Sequence, residues 1–555
     1  MNDTNTMDDI PDRVEVLVVG GGPTGLATAV ALAGHDVEVL VAEARTVPPL
    51  LPRSRSLDIR TMEVLRRHGV ADDILAAVGE ARRTGAAFAF APCLAALGRR
   101  DRLAQGWFAA PRHSPVTGVV CPQDVVEQVL RWHAPVGALR QGAHLVGLEQ
   151  HRDGVDVHLQ LHEGGHRTVR AGFVVGADGA ESRVRRLLAP EAGSASPAAW
   201  MVSLLVEADL SGCVGAHVCN AYFLEPTDGP RAILHPTLDH TRWVLNLLYP
   251  ASRGFGSAPE NVDYQDIRAV LGTNTQGLRI LERQATAVRP HVEDRWLYGR
   301  VLLAGDAVHQ LSPLSGAGMN LGIGDADNLA WKLAAVLHDG ANTALLRTYE
   351  AERRTVARRF LLEDLVNVDC ALTDTGWHGW RERHADRMSK DGLVLGAGYD
   401  NGAFVSERST SPDQNSYREY RPDAAPGHRA PHVEIRCGAQ VRSLLDEFGP
   451  EAVLLSADPA WGGAAVAASQ RCGVPLRFRV VPRGSDGPTD PTPPAWRQLY
   501  GVGSRGAVLI RPDGYVAWRH RGPDDGDPSP DNAARAHLLA DAVRWCWSLD
   551  SRAAP

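Results

Sequence analysis

The apolar positions of this chain change texture along its length. Near the N-terminus an unbroken run, Val16-Leu17-Val18-Val19, breaks into Gly20-Gly21-Gly22-Pro23-Thr24-Gly25 and resumes as Leu26-Ala27-Thr28-Ala29-Val30-Ala31-Leu32. A short apolar run, a glycine cluster and an alanine-rich stretch predict strand, tight turn and helix. A second run, from Val37 to Ala42, ends in Glu43. Between Ala189 and Pro290 the texture shifts to short β-like runs separated by Gly, Pro and Asp; Trp200 to Val206, Ala232 to Leu234 and Trp243 to Leu248 are predicted strands. The stretch from Leu321 to Leu337 has a helical apolar face. Residues 400 to 425, rich in Ser, Pro, Asp, Asn and Arg, predict a linker, and Ala452 to Leu455 and Ala507 to Ile510 predict strands beyond it.

The glycine cluster carries the first chemistry. Gly20 permits the tight turn, Gly22 lets a pyrophosphate approach the backbone, and Gly25 lets the helix pack on the strand; the helix N-terminus then faces the phosphates. Glu43 stands about 20 residues on, where an adenosine ribose needs an acceptor. The chain contains its own control: Gly501-Val502-Gly503-Ser504-Arg505-Gly506 has the same glycine spacing but precedes a strand-like run, so it is a loop entering a strand.

Composition narrows the classes. At 555 residues the chain has room for two or three domains. A net charge of -8 argues against nucleic acid as a partner. No run of 18 or more apolar residues suggests a membrane span, and the acidic N-terminal arm, with Asp3, Asp8, Asp9 and Asp12, is unlike a signal peptide, so a cytoplasmic protein is expected. The eight cysteines lack a Cys-x-x-Cys pair and are expected as free thiols, with no metal site. His235 and His240 flank a stretch read as a turn, and Lys332 reads as a solvated helix residue.

Two later motifs decide which dinucleotide is bound. Gly176-Ala177-Asp178-Gly179, after Phe173-Val174-Val175, and Ala304-Gly305-Asp306, after Val301-Leu302-Leu303, resemble the Asp-Gly and Gly-Asp motifs of single-component, FAD-dependent aromatic hydroxylases, the para-hydroxybenzoate hydroxylase-like monooxygenases. Pro52-Arg53-Ser54 resembles that family's arginine segment, with Arg60-Thr61-Met62-Glu63 behind it, and Cys121-Pro122-Gln123-Asp124 its glutamine segment. Pro313-Leu314-Ser315-Gly316-Ala317-Gly318-Met319-Asn320 completes the set, which covers about residues 1 to 390 in the family's order. Many relatives show Gly-Gly-Gln-Gly where this chain has Ser315-Gly316-Ala317-Gly318, so a polar side chain near the flavin is absent here.

The resemblance implies an α/β fold: a Rossmann-like FAD-binding domain, an inserted β-sheet substrate domain and a C-terminal thioredoxin-like domain. Expected boundaries are 1–189 (with a pocket-lining excursion at about 80–115) and 291–400 for the FAD-binding parts, 190–290 for the substrate domain, 401–425 for the linker and 426–555 for the C-terminal domain. It implies that Asp306 bonds the ribityl or pyrophosphate region, that backbone groups near Pro313, Gly318, Met319 and Asn320 meet the pyrimidine end of the flavin, and that Arg53 approaches the pyrophosphate. Gln123 is assigned to the flavin edge, with capping of its own helix as the alternative, and Asp178 to the nucleotide region, with a helix cap as the alternative. Trp107, Phe108, Arg112 and His113 are candidate pocket residues, and the catalytic acid-base residue is not identified.

The implied reaction is hydroxylation of a phenolic or polycyclic, polyketide-like natural product. NADPH or NADH serves as transient donor, and a flavin C4a-hydroperoxide formed with dioxygen carries the oxygen. Baeyer-Villiger insertion or epoxidation on the same scaffold stays open, as does a FAD-bound redox sensor or assembly protein. A flavin halogenase is disfavoured, because the sole Trp-x-Trp, Trp545-Cys546-Trp547, is C-terminal and leads into Ser548. Without a redox cysteine pair, the C-terminal domain is expected to serve structure or homo-oligomer formation.

Overall fold

The computed structural model describes residues 10–549 apart from 80–85, 99–101, 106–112, 191–195, 216–218, 240, 254–256, 258, 260, 274–276, 374, 386–389, 408–418, 438–439, 482–495 and 523–529. Trp107, Phe108, Arg112, His240, the first nine residues and the middle of the expected linker therefore lie outside the described residues.

The first sheet is built on Arg13–Val19, which pairs in parallel with Val39–Glu43 on one side and His166–Gly176 on the other. Val301–Leu303 continues the parallel order beyond His166–Gly176. These central strands are covered on both faces, which is why they read as continuous apolar runs rather than alternating ones; Val16, Leu17, Val18, Val174, Val175 and Leu302 are fully buried. Helix Pro23–Ala33 and the long helix Gly318–His338 pack on this sheet. They cross so closely that a Cβ on Gly322 would sit 2.1 Å from Thr24 Oγ1.

The second sheet has seven strands, in the order Arg279–Val288, Ala199–Glu207, Arg242–Pro250, Arg231–Pro236, Ala221–Leu224, Ala86–Ala91 and Arg102–Gln105. The last two come from the excursion in the first part of the chain, and Ala86–Ala91 pairs in parallel with Ala221–Leu224. One face packs on Tyr264–Leu271 through Ile267, Val270 and Leu271. The other carries Phe88, Phe90, Met201, Phe223, Ile233 and Leu248 towards Val368, Ala371, Trp377 and Trp380, with Leu314 against the same cluster. His235 lies within Arg231–Pro236, so the strand runs through His235 one residue into the stretch read as a turn, and the chain turns back from Thr237.

A third sheet runs Leu476–Val480, Ala452–Ser456, Ala507–Ile510 and Val516–His520, the first pair parallel and the others antiparallel. Helices Trp461–Cys472 and Asn532–Cys546 cover it. Gly501 to Gly506 leads into Ala507–Ile510, as the second glycine pattern predicted. This unit shares a core with the first, in which Trp331, Ala335 and Leu345 meet Leu454, Trp461, Leu509, Val543 and Trp547. The seven cysteines whose side chains are described are all free thiols. Among the described residues no helix is long and apolar enough to cross a membrane, and no group of His, Cys, Asp and Glu could hold a metal.

Candidate flavin site

The glycine turn after the first strand has the shape a pyrophosphate cradle needs. Gly20 holds φ +107°, and a Cβ there would fall 2.4 Å from Ala177 O; a Cβ on Gly25 would fall 1.9 Å from Gly20 O. Both positions are closed to any other residue. At Gly22, in contrast, an added Cβ would meet nothing within 4 Å. Helix Pro23–Ala33 begins here with no side-chain cap and proline in its first turn, so its leading N–H groups face open space. Glu43 completes the turn: Oε2 accepts Gly21 N at 2.6 Å and Oε1 accepts Arg45 N at 2.9 Å. A carboxylate offers about four acceptor sites, so two remain for a ribose.

Across the cleft, Gly305 holds φ +62°, and a Cβ there would strike Thr24 Oγ1 at 2.5 Å. Asp306 follows it, open to the cleft, and its carboxylate accepts no hydrogen bond from any described residue. The surrounding protein raises the Asp306 pKa by desolvation, opposed by His309 and Arg53. Gly318 is adjacent: a Cβ on it would lie 3.3 Å from Asp306 Oδ1. The first helical bond after the loop runs from Leu321 N to Ala317 O, at 2.9 Å, which leaves the N–H groups of Gly318, Met319 and Asn320 ahead of it. That helix also lacks a side-chain cap. Uncapped backbone donors at two helix starts, with a carboxylate between them that no described residue bonds, fit a flavin dinucleotide.

The remaining predicted site residues hold this cradle in shape. Asn320 Oδ1 accepts Asp58 N at 2.9 Å, while Nδ2 donates to Ser56 O and Gly316 O, each at 3.0 Å. Pro313 O accepts Gly316 N in the turn that presents the loop. Gln123 opens its helix and ties down the arginine segment: its N donates to Ser54 O at 2.9 Å, and its Oε1 accepts Ser54 N at 3.2 Å. Its Nε2 donates to Glu127 Oε1 at 2.8 Å. Arg53 is exposed, within the field of Asp306, and its Nε donates to Gln284 Oε1 at 3.1 Å. The Asp178 carboxylate is committed to the start of helix Arg183–Leu188, accepting Ser182 Oγ at 2.6 Å, Arg183 N at 2.7 Å and Val184 N at 3.0 Å. His113 stacks edge-on to Tyr420, and its carbonyl accepts from Arg429, which places it at the junction with the third unit.

One supporting cluster had no sequence motif. Asp325 is fully buried; Oδ2 accepts Gly305 N at 3.0 Å and pairs with His309 Nε2 at 2.6 Å, and Oδ1 accepts Arg353 Nε at 2.8 Å. Burial opposes its charge, but His309 and Arg353 win and hold its pKa below the usual carboxylate range. An acid on the helix's apolar face, between Leu321 and Leu329, was the available signal. Lys332, on the same helix, is a correction: it is fully buried, donating to Glu352 Oε2 at 2.8 Å and Asn328 Oδ1 at 2.9 Å.

Comparison with known proteins agrees with the geometry. Residues 13–364 match the FAD binding domain family and residues 423–546 the C-terminal domain of aromatic-ring hydroxylases. The chain is 33% identical to aklavinone 12-hydroxylase RdmE of Streptomyces purpurascens, over 91% of this chain and 95% of that one. It is 32% identical to tetracenomycin B2 monooxygenase-dioxygenase of Streptomyces olivaceus, over 95% and 99%. Among solved structures, the flavin-dependent monooxygenase PieE with FAD and substrate superposes with TM-score 0.81 at 28% identity, covering 98% of this chain and 100% of that one. A ternary complex of aklavinone-11 hydroxylase with FAD and aklavinone gives 0.80 at 30% identity, covering 97% and 100%. With the cradle, the motif order and both halves of the chain in agreement, this protein belongs to the FAD-dependent aromatic-ring hydroxylases and is a flavin monooxygenase.

Proposed function

We propose that the chain hydroxylates a polycyclic phenol of the aromatic polyketide type, using NADPH or NADH as a transient donor. The observation that carries this reading is the meeting of the flavin loop and the second sheet at Leu314. There the wall is aromatic: Phe90 and Phe223 stack at 4.9 Å, Phe223 and Trp380 at 5.1 Å, and Trp377 meets Phe223 edge-on at 5.1 Å. The rings are nearly buried and pack on one another, so they form a rigid apolar backing to the side of the sheet that meets the flavin loop, a setting that suits a flat, fused-ring substrate. The full-length relatives include proteins named for aklavinone and tetracenomycin.

The chemistry supplied by bound FAD is acceptance of electrons from the nicotinamide donor, activation of dioxygen and delivery of one oxygen atom to an electron-rich ring. The chain's own residues set the conditions. Gly20, Gly22, Gly25 and Glu43 take the adenosine and pyrophosphate end, with Arg53 beside it, and Asp306 takes the ribityl hydroxyls. The N–H groups of Gly318, Met319 and Asn320, at a helix start, stabilise negative charge at the pyrimidine end. Pro313 shapes that loop, Gln123 fixes the arginine segment, and Asp178 fixes the start of the helix beside the nucleotide. The sheet face orients the ring and excludes water.

The test is NADPH and NADH oxidation by purified holoenzyme with a panel of polycyclic phenols, followed by product mass. One phenol should accelerate donor oxidation and leave a product heavier by one oxygen atom. Tight binding with no acceleration for any phenol would instead favour a sensor role.

A further inference from the structure

His235 stands where the flavin-binding segments meet the second sheet. It shares a face with Ile233, two residues earlier in the strand, and Ile233 packs in the cluster that contacts Leu314 of the flavin loop. Its cross-strand partner Val244 packs on Leu51, just before the arginine segment. Arg55 of that segment reaches the carbonyl of the next residue, Pro236. The ring thus lies beside the arginine segment, on the sheet face whose buried cluster Leu314 of the flavin loop packs against. It is partly open to solvent although protein surrounds it deeply, as expected for a group facing an internal cleft.

The ring's hydrogen bonding is asymmetric. His235 Nδ1 lies 3.0 Å from Asn220 O. A carbonyl only accepts, so Nδ1 carries the proton and Nε2 presents a lone pair. No described residue hydrogen-bonds to Nε2. Burial and nearby Arg55 push the imidazolium pKa down to about 3, so the ring is neutral at pH 7 and the acceptor persists. Beside it, Asn246 pairs with Ile233, Ser203 with Asn246 and Gln284 with Ser203, which makes a polar row on an otherwise apolar face. All three are already engaged: Ser203 Oγ donates to Asn246 Oδ1 at 2.7 Å, and Gln284 Oε1 accepts from Arg53. That leaves His235 Nε2 as an acceptor fixed on a strand with no partner among the described residues.

We propose that His235 Nε2 accepts the hydrogen bond of the substrate's phenolic hydroxyl and so sets which ring edge faces the flavin. This inference rests on the hydroxylase reading above. With the ring anchored by Nδ1 to strand backbone, Nε2 has little freedom, and selection of the hydroxyl comes from leaving that acceptor unpaired when the hydroxyl is missing.

The experiment titrates FAD-loaded enzyme with polycyclic phenols and their O-methyl ethers, reading binding from flavin absorbance, and uses two variants. An asparagine at 235 keeps a donor for Asn220 O but puts no acceptor at the Nε2 position; a glutamine puts its Oε1 there. Wild type should prefer the phenol to its ether by about tenfold, the worth of one hydrogen bond. His235→Asn should bring that ratio near one at unchanged FAD content, and His235→Gln should keep most of it. Full preference in His235→Asn, or equal indifference in both variants, would overturn the proposal and leave the hydroxylase reading intact. A wild-type enzyme that neither binds nor oxygenates any phenol would end both.

Discussion

Replacing Glu352 by glutamine tests how the C-terminal unit is held. Five donors converge on this carboxylate, which is fully buried. Oε1 accepts Arg511 Nη1 and Ala403 N, each at 2.7 Å; Oε2 accepts Arg511 Nη2 at 2.9 Å, Lys332 Nζ at 2.8 Å and Asn328 Nδ2 at 2.7 Å. A glutamine offers one oxygen and turns an NH2 group towards donors, so the buried charges of Lys332 and Arg511 face Asp513 alone. Breaking a buried pair from one side costs about 3–5 kcal/mol. The depression of the Glu352 pKa to about 2 agrees, at about 3 kcal/mol. Lys332 points the other way: burial outweighs Glu352 and lowers its pKa to about 8. The carboxylate is the better guide, because every donor converges on it while Lys332 shares it with Arg511. The lysine limits the damage, however, since releasing its proton at pH 7 costs only about 1.4 kcal/mol. Glu352→Gln should therefore lose about 3 kcal/mol at pH 7, in urea unfolding followed by the fluorescence of Trp331 and Trp547, whose rings lie 5.3 Å apart beside the cluster. The deficit should narrow by about 1 kcal/mol between pH 7 and 8, where the variant's lysine is already neutral and the wild type's is not. A loss below about 1 kcal/mol, or a deficit that ignores pH, would refute this account.

Asp306→Ala should reduce FAD retention by at least tenfold, read from the flavin-to-protein absorbance ratio after gel filtration; full occupancy would count against the role given to this carboxylate. Asp364 is buried against Ser312 N and Oγ, just before the flavin loop, and burial raises its pKa to about 6. Because the folded value exceeds the unfolded one, its contribution is full below about pH 4 and is lost as pH rises through 6. Asp364→Asn should flatten the stability profile between pH 4 and 6, and an unchanged slope there would show that the group titrates elsewhere. Arg429→Met should weaken FAD binding severalfold without touching the cradle, measured by flavin fluorescence on dilution; an unchanged dissociation constant would sever the link argued below.

Much of the cradle was legible because each part needs a fixed local spacing. Gly20, Gly22 and Gly25 serve one turn, Glu43 ends the next strand, and Gly305 precedes Asp306 at the end of another. What was not legible depends on distant partners. Nothing near Ala86–Ala91 announces that it pairs with Ala221–Leu224. Nothing near Lys332 announces Arg511 and Glu352, and a lone lysine on a helix is ordinarily solvated. Asp178 shows a subtler limit, since its position was readable but the commitment of both its oxygens to Ser182, Arg183 and Val184 required coordinates. Pro236 reads as opening the turn that His235 flanks, yet Pro236 ends the strand, a place where proline is tolerated.

The charges between the first and third units define an orientation more than they add affinity. Arg429 forks onto Glu63, and Arg60 joins Glu63 Oε2 at 3.2 Å and Asp513 O at 2.8 Å. Arg511 bridges Glu352 and Asp513. Matched buried pairs contribute little net free energy, but each one left unmatched costs several kcal/mol. A C-terminal unit docked a few ångströms out of place would strand all of them at once, so only one arrangement is tolerated. That arrangement is transmitted inward. Arg60 and Glu63 lie on helix Ile59–Arg67, whose cap Asp58 accepts Thr61 N at 2.7 Å and donates its own N–H to Asn320 of the flavin loop. A domain without redox cysteines thereby acts on the flavin site as a brace, reaching it through one helix and one asparagine.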